Sequence, residues 1–420
     1  MKKEKIGNIL QMQRGYDLPV SQMRNGQTPV VGSNGVIGYH DTAKCITPTI
    51  TIGRSGSAGK IHMYDTPTWV HNTALYLTDF KGNNPKYLYY LLQLLHLESL
   101  CGSSVIPSLN RNVVYPMVVN FHENREDQDA ISSILSKIDE KIAVNREINR
   151  NLEAMARQLY DYWFVQFDFP DENGKPYKSS GGKMVWNEKI KHEIPEGWSD
   201  TTLGIFCNMY QPKTIGTNEL DENGAYLVYG ANGIVGRYYT YNHTESEIAM
   251  ACRGNSCGVV NRTRPYSWIT GNAMVIRPND SKVHNEYVRQ AIHYMNIGGA
   301  ISGSGQPQLT RENLSSVRMC SPIREILYKY SVQVSSIVDL QLSVENEIEN
   351  LKKQRDELLP LLMNGQVSVM PSEVNCDLAI SNRFSPYLRM LLLQYLIISL
   401  ISSYEKPIKS SIQQTNSFLN

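Results

Sequence analysis

The heptapeptide Gly32-Ser33-Asn34-Gly35-Val36-Ile37-Gly38 occurs again, slightly altered, as Gly230-Ala231-Asn232-Gly233-Ile234-Val235-Gly236. Other residues recur in the same order at offsets of 199 and 200: Arg54, Ser57, Gly59, Trp69 and Ala74 as Arg253, Ser256, Gly258, Trp268 and Ala273, and Tyr87, Pro107, Leu109 and Arg111 as Tyr287, Pro307, Leu309 and Arg311. A preserved order with so small a drift indicates one duplicated unit of about 200 residues.

The first part of each unit is predicted to be a mixed α and β globular domain. Short β-prone runs alternate with turn residues, namely Thr47–Ile52, Thr73–Leu77, Glu247–Ala251 and Ala273–Ile276. Asn34-Gly35 and Asn232-Gly233 predict tight hairpin turns with positive φ at both central residues. The segments Asn84–Leu97 and Asn285–Tyr294 predict one helix in each domain.

The second part of each unit is predicted to be one long helix. Apolar residues follow 3-4 spacing over several heptads, and such a stripe seeks a partner helix. The stripe positions are Ile131, Leu135, Ile138, Ile142, Asn145, Asn149, Leu152, Ala156, Leu159 and Trp163 in the first helix, and Leu327, Tyr330, Val334, Ile337, Gln341, Val344, Ile348, Leu351, Arg355, Leu358 and Leu362 in the second. The two helices are predicted to pair, the polar stripe residues setting the register; alternatively, each helix packs only on its own domain.

The predicted fold class is α+β, with two repeated mixed α/β domains separated by two long helices. The predicted boundaries are 1–121 for the first domain, 122–165 for the first helix, 166–194 for a polar linker, 195–322 for the second domain, 323–365 for the second helix and 366–420 for a tail of unassigned role. Within the tail, Leu388–Ser402 is apolar but shorter than the about 20 residues that span a bilayer.

Charge is distributed unevenly along a nearly neutral chain. The 41 Lys and Arg balance 40 Asp and Glu, which excludes a histone-like polycation. Residues 1–120 carry 11 basic against 6 acidic residues, whereas both helices are acidic. Residues 195–322 carry 10 basic and 10 acidic residues. Basic groups on the globular domains with acidic connecting helices suit nucleic-acid contact by the domains, although a charged stretch is also typical of a solvated face.

The sequence contains no recognisable catalytic motif. There is no Walker loop and no Gly-rich loop suited to S-adenosylmethionine. Cys252 and Cys257 have no second pair with which to close a zinc site, and seven cysteines do not form a disulfide framework. Without an apolar leader after Lys5, a cytoplasmic protein without membrane attachment is expected.

Several of these motifs, in their order, resemble the specificity subunit of type I restriction–modification systems. The resemblance covers about residues 1–366 and includes the two Gly-x-Asn-Gly-x-x-Gly hairpins and the Ser-x-x-Pro-x-Leu-x-Arg sequence before each helix. The other similar stretches are Ile138–Ile142, Ile194–Trp198 followed by Leu203-Gly204, Trp268–Val275 and Leu358–Gly365.

The resemblance implies two target-recognition domains joined by an antiparallel coiled coil. It also implies a noncatalytic subunit that selects a bipartite site in double-stranded DNA, as a rule for adenine methylation. The implied partners are two methyltransferase subunits and, for cleavage, motor–nuclease subunits. S-adenosylmethionine, ATP and Mg²⁺ would belong to those partners, and this chain would hold no cofactor or metal.

Ten polar residues are the candidates for DNA contact. Arg54 and Arg253 lie in Gly/Ser-rich loops that let the backbone approach DNA, and Arg reads guanine bidentately. Arg111 and Arg311 are predicted either to hold phosphates or to brace the junction with the helix. The remaining candidates are Ser57, Lys60, Ser256, Arg262, Arg264 and Gln306.

Two other functions stay open at this stage. The chain is alternatively a stand-alone DNA methyltransferase or nuclease of unfamiliar sequence, against which the missing donor and metal motifs argue. It is otherwise a repeat scaffold that binds only proteins, which salt-dependent retention on duplex DNA would exclude.

Overall fold

The computed structural model describes residues 1–101, 107–303 and 305–367. These residues form two compact units, one of residues 1–137 with 356–367 and one of residues 138–355. Both long helices contribute to both units. The apolar stretch predicted in the tail lies outside the described residues.

The first unit contains three small sheets, α1 to α3 and the beginning of α4. Its elements are β1 Lys2–Lys5, α1 Ile6–Ile9, β2 Gln11–Arg14, β3 Thr28–Gly32, β4 Gly35–His40, β5 Thr49–Gly53, β6 Ile61–Tyr64, β7 Trp69–Val70, β8 Ala74–Asp79, α2 Pro85–Gln93, α3 Arg111–Val114, β9 Val118–Phe121 and α4 Arg125–Tyr160. The sheet orders are β2-β8-β5-β6, β4-β3-β7 and β1-β9.

The second unit repeats this topology. Its elements are β10 Met184–Asn187, β11 His192–Pro195, β12 Ser199–Thr202, α5 Leu203–Phe206, β13 Cys207–Tyr210, β14 Tyr226–Gly230, β15 Gly233–Tyr238, β16 Ile248–Ala251, β17 Val260–Arg262, β18 Trp268–Ile269, β19 Ala273–Pro278, α6 Asn285–Tyr294, β20 Ile301–Ser302, β21 Gln308–Leu309, α7 Arg311–Ser315, β22 Arg318–Ser321 and α8 Arg324–Met363. The orders β13-β19-β16-β17, β15-β14-β18 and β12-β22 match those of the first unit, which confirms the duplicated α+β fold.

The core of the first unit forms around β5 and α2. The run Thr49-Ile50-Thr51-Ile52 is buried along its whole length, as expected for a β-branched central strand. Pro85 begins α2, and its ring fixes φ near the helical value. The side chain of Asn84 caps the helix by accepting a hydrogen bond of 3.0 Å from the Tyr87 amide. Leu88 and Leu91 of α2 pack in one cluster with Ile131 and Leu135 of α4 and with Leu359, Leu362 and Met363 of α8.

The core of the second unit is aromatic. The ring of Phe164 lies 4.9 Å from the rings of both Tyr287 and Tyr330, and Tyr160 and Trp163 complete the cluster. Phe164 belongs to a π-helical turn, Asp161–Val165, that ends α4. Edge-to-face ring pairs of this kind stabilise a core beyond the apolar area they bury.

The two long helices pair in antiparallel orientation, as predicted. Within the second unit Asp139 bonds Arg355 at 2.9 Å, Asn149 bonds Glu345 at 3.3 Å and Glu153 bonds Gln341 at 3.2 Å, so positions rise along α4 as they fall along α8. Between these polar contacts Ile142, Val344 and Ile348 form an apolar layer. The polar stripe residues are therefore bonded across the helix pair, as register-setting residues need to be.

The segment 166–194, predicted as a polar linker, is packed against the domain that follows it. Phe167 and Phe169 are buried, and their ring centroids lie 5.6 and 5.2 Å from that of Trp198. The segment also contributes β10 and part of β11, which pair antiparallel. Two aromatic anchors within a polar stretch are enough to bind it to the domain that follows.

The hairpin turns differ from the prediction in one backbone detail. Gly35 and Gly233 have φ values of 105° and 97°, but Asn34 and Asn232 keep negative φ. Only the glycine therefore needs the left-handed region, and the residue before it remains in an ordinary conformation.

His243 is expected to make the second unit less stable in mild acid. Its Nε2 lies 2.9 Å from the Tyr210 hydroxyl and its Nδ1 lies 2.6 Å from Oδ1 of Asn242. Burial, and then the charge of Arg277, lower its pKa from 6.5 to about 4. Between these values the unfolded chain binds a proton that the folded chain does not, so the free energy of unfolding falls as the pH falls from 6.5 towards 4.

Urea unfolding at pH 7 and at pH 5 measures this pH dependence of the free energy of unfolding. His243→Gln keeps a hydrogen-bonding side chain that does not titrate. The free energy of unfolding of this variant should therefore differ less between pH 7 and pH 5 than that of the parent. An equal pH dependence in both proteins would exclude His243 as its source.

Candidate nucleic-acid interface

Three loops of the first domain meet at one place. The amide of Gly56 donates to the Pro107 carbonyl at 3.2 Å, and the amide of Leu109 donates to the Arg54 carbonyl at 2.8 Å. The Lys60 ammonium donates to Oδ1 of Asn34 at 2.8 Å, which adds the β3–β4 turn. The structure thus brings the predicted residues Arg54, Ser57, Lys60 and Arg111 into one loop cluster, which we call cluster 1 (residues 32–38, 53–60 and 107–111).

Glycine allows these loops to approach so closely. A Cβ atom on Gly53 would lie 2.1 Å from the Ser57 carbonyl oxygen and 2.8 Å from that of Ser33, so any side chain there would separate the hairpin from the Arg54 loop. The Gly/Ser composition predicted a close approach of the backbone to DNA. In the structure, Gly53 permits a close approach between two loops of the protein.

A cavity of about 590 Å³ in the first domain is lined by Arg14, Arg54 and Arg111. Nε of Arg54 donates to the Asn72 carbonyl at 3.1 Å, and a terminal nitrogen of Arg111 donates to the Met12 carbonyl at 3.0 Å. Each of these bonds uses one of five N–H groups of a guanidinium, and the others are the donors that a phosphate or a guanine edge requires. Three guanidinium groups beside the single carboxylate of Asp17 make this cavity suited to an anion.

Sequence analysis missed Arg14 and Gln13, which line the same cavity. Arg14 forms an ion pair of 3.2 Å with Asp17. Arg14 ends the strand β2, and β2 pairs with β8 next to the Arg54 loop. The sequence alone does not reveal this pairing, so it gave no signal for Arg14.

The second domain repeats the arrangement. The amide of Gly254 donates to the Pro307 carbonyl at 2.9 Å, and the amide of Leu309 donates to the Cys252 carbonyl at 2.9 Å. We call residues 252–258 and 306–311 cluster 2. Arg253, Gln306 and Arg311 are exposed there, and Ser256 is half-buried. Arg111 and Arg311 occupy the same place, the first residue of a short helix with a capping side chain in front of it.

Two of the candidates for DNA contact, Arg262 and Arg264, lie outside cluster 2. A terminal nitrogen of Arg262 donates to Oε1 of Gln341 at 2.7 Å, and Arg264 forms ion pairs of 3.2 Å with Glu345 and 2.7 Å with Glu349. Their side chains are only 12% and 17% exposed. Burial alone would lower the pKa of Arg264, but the two glutamates raise it above its ordinary value. These arginines therefore join the second domain to α8.

The same network continues into the interior through Arg289 and Glu286. Arg289 bonds both carboxylate oxygens of Glu286, at 2.7 and 2.6 Å, and also bonds Glu153 of α4. Glu286 is 1% exposed, so its charge depends on these partners. Sequence analysis missed the network, although the spacing of Glu286 and Arg289 on α6 suits an ion pair.

The described residues provide no metal centre or membrane span. Within residues 1–101, 107–303 and 305–367, no group of three or more His, Cys, Asp and Glu side chains is arranged to hold a metal ion. Over the same residues, none of the helices combines the length and apolarity that crossing a bilayer demands. Cys252 lies next to Arg253, but burial raises the pKa of its thiol to about 11, so it is not a reactive thiolate at neutral pH.

Comparisons with known proteins agree on one family. A family model described as the type I restriction modification DNA specificity domain matches residues 1–154 and 195–359. The chain is 24% identical over 311 residues to the type I restriction enzyme MjaIX specificity subunit of Methanocaldococcus jannaschii. The matched region covers 68% of this chain and 69% of that subunit. It is 24% identical over 340 residues to a putative type I specificity subunit of Mycoplasma genitalium, covering 77% and 83%.

A solved structure shares the fold. The crystal structure of the type I restriction–modification S subunit from M. genitalium superposes with a TM-score of 0.58 at 18% identity, covering 86% of this chain and 96% of that one.

Proposed function

The chain belongs to the family of type I restriction modification DNA specificity domains, and from this premise we propose that its two domains each read one half-site of a bipartite, asymmetric target in double-stranded DNA. The observation that carries the proposal is the repeated loop cluster. Clusters 1 and 2 share backbone hydrogen bonds, and Arg111 and Arg311 occupy equivalent positions in them. Arg54 and Arg253 lie one position apart in this framework, because Leu109 bonds the carbonyl of Arg54 and Leu309 bonds that of Cys252. The other polar side chains of the two clusters differ, so the two half-sites should differ in sequence.

The subunit itself performs no catalysis in this proposal and acts in the cytoplasm. Two methyltransferase subunits dock on the outer faces of α4 and α8, and motor–nuclease subunits join them for cleavage. Val144 of α4 and Val332 of α8 are large apolar side chains that are 58% and 72% exposed, and a docked subunit would cover them. S-adenosylmethionine, ATP and Mg²⁺ are brought by these partners.

Co-expression with the methyltransferase of its host tests the proposal. We expect a complex of two methyltransferase subunits per chain, and adenine methylation at two short specified sequences separated by a spacer of fixed length. Methylation by this chain without the partner would contradict the noncatalytic role. A complex that methylates without sequence preference would contradict DNA recognition.

Arg253 and Arg262 are expected to behave differently when each is replaced by alanine. If Arg253 reads a base, Arg253→Ala should weaken binding by about 1–3 kcal/mol and relax one position of one half-site. If it holds a phosphate, binding should fall evenly across sequences and the salt slope should drop by about one. Arg262→Ala should instead lower the stability of the second unit and leave the salt slope unchanged.

Fluorescence anisotropy at several salt concentrations, with the methyltransferase complex and the mapped target, measures both effects. Unchanged affinity and an unchanged salt slope for Arg253→Ala would remove Arg253 from the interface.

A further inference from the structure

Each recognition domain exposes a pair of large apolar side chains at the tip of its first hairpin. Val36 and Ile37 are 48% and 49% exposed, and their counterparts Ile234 and Val235 are 56% and 49% exposed. Two adjacent residues on a regular strand point to opposite faces of the sheet, so one of them would ordinarily be covered.

A β-bulge in each hairpin accounts for the double exposure. In the first hairpin Val31 is opposite Val36 and Val30 is opposite Gly38, which leaves Ile37 as the extra residue. In the second hairpin Tyr229 is opposite Ile234 and Val228 is opposite Gly236, which leaves Val235 as the extra residue. A bulge redirects the side chain it carries, and here it does so at the same place twice.

A glycine at the turn end of the strand facing each bulge, Gly32 or Gly230, makes room for the redirected side chain. A Cβ on Gly32 would lie 3.1 Å from Cγ2 of Ile37, and a Cβ on Gly230 would lie 2.7 Å from Cγ1 of Val235. The branched side chains of Ile37 and Val235 thus lie directly over the backbone of these glycines. This arrangement supports the apolar tip from below without covering it.

The first tip belongs to cluster 1, and the second tip lies beside the strand β17. In the first domain Lys60 bonds Asn34 at the turn, and a Cβ on Gly35 would lie 4.0 Å from the ring of His62. In the second domain a Cβ on Gly233 would lie 3.8 Å from Oδ1 of Asn261. The first tip therefore has a cationic flank beside the loop that carries Arg54, which suits a polyanion as the occupant.

The two tips share their chemistry although their surroundings differ. Lys60 and His62 flank the first tip, whereas Val259 and Asn261 stand at the corresponding positions beside the second. Domains that read different half-sites would hold such a feature in common only for a task that does not depend on base sequence.

We propose that the two tips, Val36-Ile37 and Ile234-Val235, are apolar wedges that enter a groove of the duplex at each half-site and partly unstack a base step. Apolar side chains inserted between base pairs deform DNA in this way. The proposal rests on the proposed function, since it requires that each domain binds its own half-site.

The test uses the complex with its methyltransferase subunits and the mapped target with 2-aminopurine at successive positions of each half-site. The variants are Val36→Thr/Ile37→Thr and Ile234→Thr/Val235→Thr, which keep β-branching and lose the apolar tip. Val20→Thr and Ile205→Thr are matched controls, because these side chains are 79% and 72% exposed elsewhere in the same domains.

Binding of the parent complex should raise 2-aminopurine fluorescence at one step of each half-site. Each tip variant should lose that rise in its own half-site only and bind about tenfold more weakly, since apolar contacts and not phosphate contacts are lost. The salt slope should stay the same, because no counterion-releasing charge has been removed. The control variants should match the parent.

Unchanged fluorescence and affinity in both tip variants, with sequence-specific binding retained, would overturn the wedge and leave the proposed function intact. Failure of a tip variant to assemble with the methyltransferase would also overturn it, since the tip would then bind that protein. A parent complex without any sequence preference would overturn the proposed function first.

Discussion

Arg289→Met should destabilise the second unit by about 3–5 kcal/mol, because it leaves the buried carboxylate of Glu286 without its bidentate partner. Glu286 is 1% exposed, and its other cation, Arg262, lies 3.8 Å away. Burial alone would lower the pKa of Arg289, but hydrogen bonds and Coulombic attraction to Glu286 raise it above its ordinary value. The guanidinium is therefore charged at every pH at which the protein folds. Urea unfolding followed by tryptophan fluorescence measures the loss.

Arg318→Met is the matched control for this substitution. Arg318 forms a 2.8 Å ion pair with Asp200 but is 46% exposed, so its loss should cost about 1 kcal/mol or less. Adding Glu286→Gln to Arg289→Met should recover part of the stability, since the uncompensated charge is removed. Equal losses for the two arginine variants would contradict the role of the buried network.

Ile348→Asp should destabilise the paired helices by several kcal/mol, because it replaces an apolar side chain by a carboxylate in the layer of Ile142 and Val344. Glu345 adds like charge nearby, whereas Arg146, Arg150 and Arg262, which line the same cavity as Ile348, add opposite charge. Both half-site specificities should be lost together, since the helix pair supports both domains. Circular dichroism during urea unfolding measures the first effect and methylation of the mapped target measures the second.

Val332→Asp makes the same change on the same helix at a side chain that is 72% exposed. It should leave unfolding unchanged. At pH 4 the new carboxylate of Ile348→Asp is largely protonated, so the difference from the parent should shrink. Unaltered stability and methylation in Ile348→Asp would mean that the helices are not held together by this layer.

The repeated pattern made most of the fold predictable. The strands β5, β8, β16 and β19, the helix α6 and both long helices follow from local sequence patterns, which need no knowledge of distant residues. The helix stripe also identified Asn145, Asn149, Gln341 and Arg355 as polar positions within the seam. Each of them bonds a side chain of the opposite helix.

What the sequence could not predict depends on residues far apart in the chain. Arg262 and Arg264 stand together without a nearby acid in sequence, but their partners Glu345 and Glu349 lie about 80 positions later on α8. The segment 166–194 is polar on average, but two phenylalanines decide where it packs. Arg14 enters the cavity of Arg54 only because β2 pairs with β8. Each case requires the tertiary arrangement.

The most direct measurement concerns the independence of the two domains. Residues 195–322 are exchanged for the equivalent domain of a relative with a different target, and methylated adenines are mapped across the genome of a host that supplies the methyltransferase. The account predicts that one half-site changes to that of the relative while the other half-site and the spacer length stay the same. A hybrid in which both half-sites change would contradict it.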